Sequence, residues 1–264
     1  MPTDSMQAPA ALFLFAHQDD EFGVFHVIAE CRRRGMRVAC AYLTRGPGEL
    51  GARRNEESRR VLARLGVPAE AIAFAGDELG IDDASLPQHL AAAAGWLDNW
   101  LRTLGPAELV CVPAWEGGHH DHDALHVLGT ETARRHGLAA ALRQYALYNR
   151  KNCVGPFFKV LSPLPANGAV EESVIPWRAR LLYLRLCLAY PTQLVTWIGL
   201  FPFVLLHYTL RGTQALQPVQ PQRSSERPHE GVLYYEQRKF YRYEQMVQQL
   251  QAWRQGQAPA VPLS

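Results

Sequence analysis

The stretch ALFLFAHQDDEFG, residues 11–23, determines the fold class of this chain. Residues 11–16 form an uninterrupted apolar run with the length of a buried strand. The polar residues 17–21 follow at once, and from Phe22 the apolar residues take a helical spacing that stops at Gly35. A buried strand, a short polar loop and a helix, in this order, form the first unit of an α/β protein.

The same order of elements repeats through the first 150 residues. Further strands are predicted at 37–43, 71–75, 109–113 and 143–149, and further helices at 52–65, 86–104 and 122–135. Because short connections of this kind join parallel strands through right-handed crossovers, we expect one parallel sheet. We therefore predict an α/β, Rossmann-like fold in which a parallel sheet of about five strands is flanked by helices.

Residues 151–264 break the alternation and predict a mostly helical C-terminal extension. Helices are expected at 176–190 and 230–253, with a polar linker at 214–227 between them. We expect the extension to form a lip over the substrate and to belong to one compact unit with residues 1–150, the predicted catalytic domain.

Residues 194–210 are the most apolar window of the chain. Seventeen residues are marginal for crossing a bilayer, and Gly199 and Pro202 weaken that interpretation further. Two other interpretations remain. The segment is either buried core or a hydrophobic lip, or it lies in a membrane interface with Arg185 and Arg211 at its flanks.

The composition excludes several classes of protein. The formal net charge is +2, without a long basic run, so we expect no nucleic-acid partner. The five cysteines are scattered and form no CxxC pair, which argues against a disulfide framework or a thiolate zinc site. Because residues 1–10 lack a basic region and the apolar run 11–16 is short, we expect a cytoplasmic protein. The sequence leaves open whether the protein forms an oligomer.

Two polar blocks follow the first and fourth predicted strands, at the sheet edge where α/β proteins bind ligands. The blocks are HQDDE at 17–21 and EGGHHDHD at 116–123. Two imidazoles and a carboxylate, from His17, His122 and Asp20, suit a borderline divalent ion such as Zn²⁺, with Fe²⁺ as the alternative. Three protein ligands leave one coordination position open, which is typical of a catalytic site.

Neighbouring residues predict the rest of the chemistry. Asp19 is adjacent to a ligand without being one, so it is the expected general base. His119 is the expected hydrogen-bond donor to an oxyanion, and Asp121 is expected to bond a ring nitrogen of His119 and set its tautomer. In isolation, Asp19 and Asp20 are equally typical of a helix N-cap, and the second block decides against that interpretation.

Both blocks resemble signatures of the PIG-L/LmbE family of zinc-dependent N-deacetylases. Residues 16–21 resemble its AHPDDE signature, with Gln18 in place of proline. Residues 116–124 resemble its EGGHPDHDA block, with His120 in place of proline. The likeness covers about residues 12–150 and includes TRG at 44–46, RNEE at 54–57, LGV at 65–67 and, faintly beyond that range, AYPTQ at 189–193.

The resemblance implies a zinc-dependent hydrolase that removes an N-acetyl, or another N-acyl, group from an amino sugar or sugar conjugate. It implies these roles: His17, Asp20 and His122 as zinc ligands, Asp19 as base, His119 with Asp121 at the oxyanion, and Arg54 as a substrate contact. One alternative is a zinc amidohydrolase for another amide, such as an acylated glycopeptide or a lipid-linked sugar. A non-enzymatic Rossmann-like binding module would need a GxGxxG turn where residues 17–21 stand.

Four more residues are candidate substrate contacts. Glu49 lies near the place where some family members carry an acidic contact, although Pro47 interrupts that loop. Asp77 and Asp83 both follow the third predicted strand, and the sequence does not choose between them. Trp115 either stacks on a sugar ring or covers the edge of the sheet.

Overall fold

The computed structural model describes residues 8–257, so residues 1–7 and 258–264 of the two predicted parts lie outside it. The strands are β1 (Ala10–Phe15), β2 (Arg37–Tyr42), β3 (Ile72–Phe74), β4 (Leu109–Pro113), β5 (Leu142–Tyr145), β6 (Tyr148–Asn149), β7 (Lys159–Val160), β8 (Glu171–Val174) and β9 (Thr213–Pro218). The helices are α1 (Phe25–Arg33), α2 (Glu49–Arg64), α3 (Ala75–Leu79), α4 (Leu90–Leu104), α5 (His120–Arg135), α6 (Trp177–Cys187), α7 (Leu194–Leu210), α8 (Tyr234–Gln237) and α9 (Tyr243–Gln257).

The central sheet has the strand order β3-β2-β1-β4-β5-β9-β8. The first five strands in this order are parallel, whereas β9 and β8 extend the sheet in antiparallel pairing. The predicted α/β fold with a five-stranded parallel sheet is therefore confirmed, and the C-terminal extension adds two strands to it.

The alternating side chains of β1 explain its uninterrupted apolar sequence. Phe13 and Phe15 lie in the core on one face of the sheet, whereas Leu12 and Leu14 lie in the core on the other. A parallel strand with helices on both faces has no solvent-facing side, so both alternating sets must be apolar. This burial fixes the end of β1, and hence the position of the polar block that follows.

Several predicted elements have different bounds in the structure, and two of them are divided. The predicted strand 143–149 ends at Tyr145, and β6 pairs separately with β7. The predicted helix 230–253 is divided into α8 and α9, because Lys239 has a φ of 57° that no helix accommodates.

The predicted linker 214–227 overlaps β9, a strand that its polar sequence did not predict. Gln214 and Gln217 of β9 are buried, but their side-chain amides donate to backbone carbonyls, those of Gly23 and Leu164 among them. Buried polar side chains satisfied in this way leave no apolar pattern from which a strand could be predicted.

Candidate metal centre

The loop after β1 is shaped by the carboxylate of Asp20. Its Oδ2 accepts hydrogen bonds from the backbone N–H groups of Ala16 (3.0 Å) and His17 (2.8 Å). Asp19 takes a φ of 114°, a conformation that aspartate and asparagine adopt more readily than most residues. The loop therefore reverses sharply and directs the side chains of His17 and Asp20 towards α5.

The buried carboxylate of Glu21 stabilises this loop through hydrogen bonds. It accepts hydrogen bonds from the hydroxyls of Tyr42 (2.8 Å) and Tyr190 (2.6 Å) and from the backbone N–H of Asp19 (2.9 Å). Tyr190 belongs to the C-terminal extension, so residues far apart in the sequence fix the position of the first polar block.

The second polar block needs both of its glycines. Gly117 has a φ of 70°, and a Cβ at Gly118 would lie 2.1 Å from the carbonyl oxygen of Tyr148. The carboxylate of Asp123 accepts from the N–H groups of Glu116 and Gly117, both at 3.2 Å. The turn delivers His119 to the N-cap of α5 and His122 to its first turn.

The three predicted metal ligands converge on one point. Nδ1 of His17 lies 3.1 Å from Nε2 of His122, Nε2 of His122 lies 3.0 Å from Oδ1 of Asp20, and Nδ1 of His17 lies 3.6 Å from Oδ2 of Asp20. Bonds of 2.0–2.1 Å in tetrahedral geometry would separate neighbouring ligand atoms by roughly 3.3 Å. The donor set and its spacing thus fit Zn²⁺ or a similar divalent ion.

Burial and neighbouring groups shift the pKa values of this cluster in opposite directions. Burial alone would raise the pKa of Asp20, but the imidazoles of His122 and His17 outweigh it and lower that pKa. Burial raises the pKa of Asp19, and the carboxylates of Asp20 and Glu21 raise it further. Two adjacent carboxyl groups with opposite pKa shifts are typical of a site in which one is a ligand and the other exchanges protons.

Asp121 contacts the ring of His119 through its backbone N–H and not through its carboxylate. Its carboxylate is 4.0 Å from Nδ1 of His119, too far for a hydrogen bond, and instead lies 3.0 Å from Nε2 of His17. The N–H groups of Ala84 (2.7 Å) and Leu86 (3.0 Å) donate to the same carboxylate and draw it away from His119. Asp121 therefore orients a predicted metal ligand, since a ring N–H donated to a carboxylate leaves the other nitrogen free for the ion.

The tautomer of His119 is set by a backbone group. The N–H of Asp121 donates to Nδ1 of His119 over 3.2 Å, so the ring hydrogen resides on Nε2. Burial lowers the pKa of His119, and the neighbouring His17 lowers it further, which favours the neutral ring. A neutral imidazole with Nε2–H is the form that the predicted hydrogen-bond donor requires.

The structure distinguishes between Asp77 and Asp83. Asp83 lies 3.2 Å from Nε2 of His17 and 3.2 Å from a guanidinium nitrogen of Arg54, so all three belong to one network at the site. Asp77 instead accepts a hydrogen bond from Asn55. Glu49 is an exposed residue in the first turn of α2.

Trp115 does not offer a stacking surface, contrary to the first of its two predicted roles. Its side chain is 0% exposed and its indole N–H donates to the carbonyl of Glu226 over 2.9 Å. The C-terminal extension covers the ring, so a sugar has no access to its face. The alternative prediction, that Trp115 covers the end of the sheet, agrees with this packing.

Gln18 and His120, which stand where the PIG-L/LmbE signatures have proline, each bond to a neighbouring loop. The side-chain amide of Gln18 donates to the carbonyl of Thr44 (3.1 Å) and to Oδ1 of Asn55 (2.9 Å). The ring of His120 stacks on Tyr241 at 4.6 Å, and its Nε2 lies 2.9 Å from the carbonyl of Ala84. These hydrogen bonds and the ring stack restrict the loops where a proline would restrict φ.

A cleft of about 320 Å³ opens beside His119. Tyr148, whose ring lies 5.5 Å from that of His122, and Phe158 line one side. Residues of α7 and of the segment around α8 complete the lining: Val195, Thr196, Gly199, Leu200, Tyr234, Arg238 and Phe240. The sequence did not predict Tyr148 as a site residue, because it lies in the predicted strand 143–149 and no motif surrounds it.

The sequence also predicted no role for residues 190–193, which contact the loop after β1 and helix α2. Besides the bond from Tyr190 to Glu21, Thr192 donates to Glu57 and the side-chain amide of Gln193 donates to the carbonyl of Gln18. The only signal for these residues was the faint AYPTQ similarity at 189–193.

The chain matches one protein-family profile. Residues 12–133 match the profile of the PIG-L family, described as GlcNAc-PI de-N-acetylase. This match contains the three converging ligands, Asp19 and His119. No curated protein matches the chain.

Several solved structures share the fold. The A40926 pseudoaglycone deacetylase Dbv21 aligns with a TM-score of 0.61 at 20% identity, covering 81% of this chain and 98% of its own. The zinc inhibited form of teicoplanin deacetylase Orf2 aligns with 0.59 at 15%, covering 79% and 98%. The N,N'-diacetylchitobiose deacetylase from Pyrococcus horikoshii aligns with 0.59 at 17%, covering 83% and 86%.

Proposed function

We propose that this chain, whose residues 12–133 match the PIG-L profile, is a metal-dependent N-deacetylase of amino-sugar conjugates. The convergence of His17, Asp20 and His122 from two distant loops is the observation that carries the proposal. The matched structures are described as an A40926 pseudoaglycone deacetylase, a deacetylase in the biosynthesis pathway of teicoplanin and an N,N'-diacetylchitobiose deacetylase, and they support the same reaction class.

A divalent ion held by His17, Asp20 and His122 would supply Lewis acidity to the amide carbonyl and lower the pKa of a water. The protein supplies the remaining steps. Asp19, whose raised pKa favours proton uptake, takes the proton of the attacking water and returns it to the departing amine. His119 donates from Nε2 to the carbonyl oxygen as negative charge develops there.

We propose that the substrate contacts lie beside the metal ligands His17 and His122. Arg54 and Asp83 form an ion pair at its edge and offer a donor and an acceptor to sugar hydroxyls. Tyr148 and Phe240 supply aromatic surface for the sugar ring or its aglycone. Asp77 and Glu49 lack contact with this network and are weaker candidates.

The cellular setting is also part of the proposal. We infer a cytoplasmic enzyme that contacts a membrane through residues 194–210, helix α7, of which one side is exposed. A soluble small-molecule substrate is the simpler alternative, and the chain length of the aglycone decides between them.

The deciding experiment measures amine release from N-acetylglucosamine, an N-acetylglucosaminyl lipid and a short N-acetylated glycan. The purified chain is stripped of metal and reloaded with increasing Zn²⁺, Fe²⁺ or Mn²⁺, because a related fold is described in a zinc inhibited form. We expect turnover that requires metal and is highest on the conjugated sugars. The matched variant is Asp19→Asn, and amine release at the parent rate in this variant, or without metal, contradicts the proposal.

A further inference from the structure

We infer that the exposed apolar face of α6 and α7 docks on an anionic lipid surface and presents the active-site cleft to it. The inference rests on the proposed function for the substrate, a sugar conjugate whose lipid part stays in the bilayer. The docking itself rests on burial, charge and the position of the cleft.

Helix α7 is apolar on all sides, but only one side is buried. Trp197, Leu200 and Val204 pack into the core, with Trp197 edge-on to Phe22 at 5.4 Å. The opposite side exposes Val195 (87%), Ile198 (67%) and Leu206 (55%), among others. A helix of a water-soluble protein normally carries polar residues on its outer face, so an apolar outer face indicates a non-aqueous neighbour.

Helix α6, which packs against α7, widens the same surface. It exposes Trp177 (60%), Leu181 (54%) and, just beyond its end, Leu188. Their spacing of four and seven residues places them on one side of the helix. Tryptophan at the edge of an apolar patch is typical of a membrane interface, where the ring lies at the level of the headgroups.

The charges around this face favour an anionic lipid over a second protein. Residues 173–225 contain no aspartate or glutamate and five arginines, of which Arg180 and Arg223 bond to groups within the protein. Arg178, Arg185 and Arg211 are exposed beside the apolar residues of α6 and α7. Such a combination of apolar residues flanked by arginines is typical of helices that lie in the interface of anionic membranes.

The geometry excludes a membrane span. Residues 191–210 are long and apolar enough to cross by length and composition, and only 33% of the apolar window is buried. Yet removing α7 from the protein would take Trp197 and Tyr208 from the core, where Tyr208 packs on Tyr183. The helix therefore lies parallel to the lipid surface, with one side in the protein and the other in the membrane.

The active-site cleft opens onto this face. Val195 and Gly199 belong to the exposed side of α7 and line the cleft together with the half-buried His119. A substrate could keep its lipid chain in the membrane beside Val195 while its amino sugar reaches His119. A cleft that opened away from the apolar face would not permit this arrangement.

Sedimentation with vesicles tests the docking without measuring turnover. The full-length metal-loaded chain is mixed with vesicles of phosphatidylcholine, with and without phosphatidylglycerol. We expect binding that increases with phosphatidylglycerol and decreases with salt. Ile198→Glu combined with Leu206→Glu should weaken binding at least tenfold, since two apolar side chains are removed from the lipid. The matched control, Leu50→Glu, changes an exposed leucine of α2 and should bind as the parent does.

Other outcomes separate the proposals. Equal sedimentation of the parent and the double variant, with both folded by circular dichroism and loaded with metal, overturns the docking. Light scattering that shows a dimer dissociated by the two substitutions, without vesicle binding, assigns the face to a second copy and also overturns it. Vesicle binding that depends on the face, in a chain that deacetylates no substrate, leaves the docking standing and contradicts the proposed function alone.

Discussion

Nδ1 of His17 lies 3.1 Å from Nε2 of His122, although 105 residues separate them in the chain. Two imidazole nitrogens at this distance, with a carboxylate oxygen of Asp20 beside them, form a set of lone pairs that one cation satisfies together. This relationship yields the first prediction.

We expect about one divalent ion per chain, measured by elemental analysis after dialysis. His122→Ala should lose both the ion and turnover, because two remaining ligands bind weakly. His89→Ala changes an exposed histidine outside the cluster and should keep both. Retention of the ion by His122→Ala would place the ligands elsewhere.

Asp19→Asn should keep the metal and lower kcat by about 10²–10⁴, the usual contribution of a general base. Asparagine is the appropriate substitution because Asp19 has a φ of 114°, a positive value that asparagine adopts more readily than alanine. Asp20→Asn should instead lose the metal. If Asp19→Asn loses metal and activity in proportion, the assigned roles of the two carboxylates are reversed.

His119→Ala should lower kcat by about 10²–10³ with the metal content unchanged, because its Nε2–H acts mainly in the transition state. His119→Gln, which keeps a donor, should recover part of the loss. An increase in KM at constant kcat would show that His119 binds substrate and does not stabilise the oxyanion.

Arg54→Gln should raise KM with a smaller effect on kcat, because Arg54 is expected to contact the substrate. Its pairing with Asp83 over 3.2 Å offers another explanation, in which Arg54 only positions that carboxylate. Arg54→Gln, Asp83→Asn and the double variant separate the two. A double variant no worse than Asp83→Asn alone would remove Arg54 from the substrate contacts.

His126 should contribute to unfolding in acid. Burial lowers its pKa from the ordinary 6.5 to about 4, and Nδ1 lies 2.8 Å from the carbonyl of Pro113. The unfolded chain therefore takes up a proton at higher pH than the folded chain, so stability falls as the pH decreases from 6.5 to 4, by about 3 kcal/mol. His126→Asn should flatten this part of the curve of unfolding free energy against pH. An unchanged slope would assign the acid sensitivity to other groups.

The sequence by itself determined the parallel sheet and the location of the site. The apolar run 11–16 must be buried on both faces, which places residues 17–21 at the carboxyl end of a strand, and the same logic applies to 109–113 and the block at 116–123. Local patterns of this kind depend on neighbouring residues alone, so they are legible without coordinates. In this way the sequence predicted His17, Asp20 and His122 as metal ligands.

Only the tertiary structure decided which groups these residues contact. The carboxylate of Asp121 lies beside His17 because Ala84 and Leu86 donate to it, and those residues precede it by more than 30 positions. In the same way, contacts across the sheet edge place Asp83, and not Asp77, beside His17 and Arg54. Hydrogen bonds between distant segments leave no periodicity in the sequence, so no pattern could have predicted them.

The exposed face of α6 and α7 shows the same division. Composition identified residues 194–210 as apolar, but an apolar segment is equally compatible with a core helix, an interfacial helix and a membrane span. Packing decided that Trp197 is buried whereas Val195 and Ile198 are exposed. Burial is a property of the assembled fold, because it depends on which side of a helix the other elements cover, and the sequence of α7 is apolar on every side.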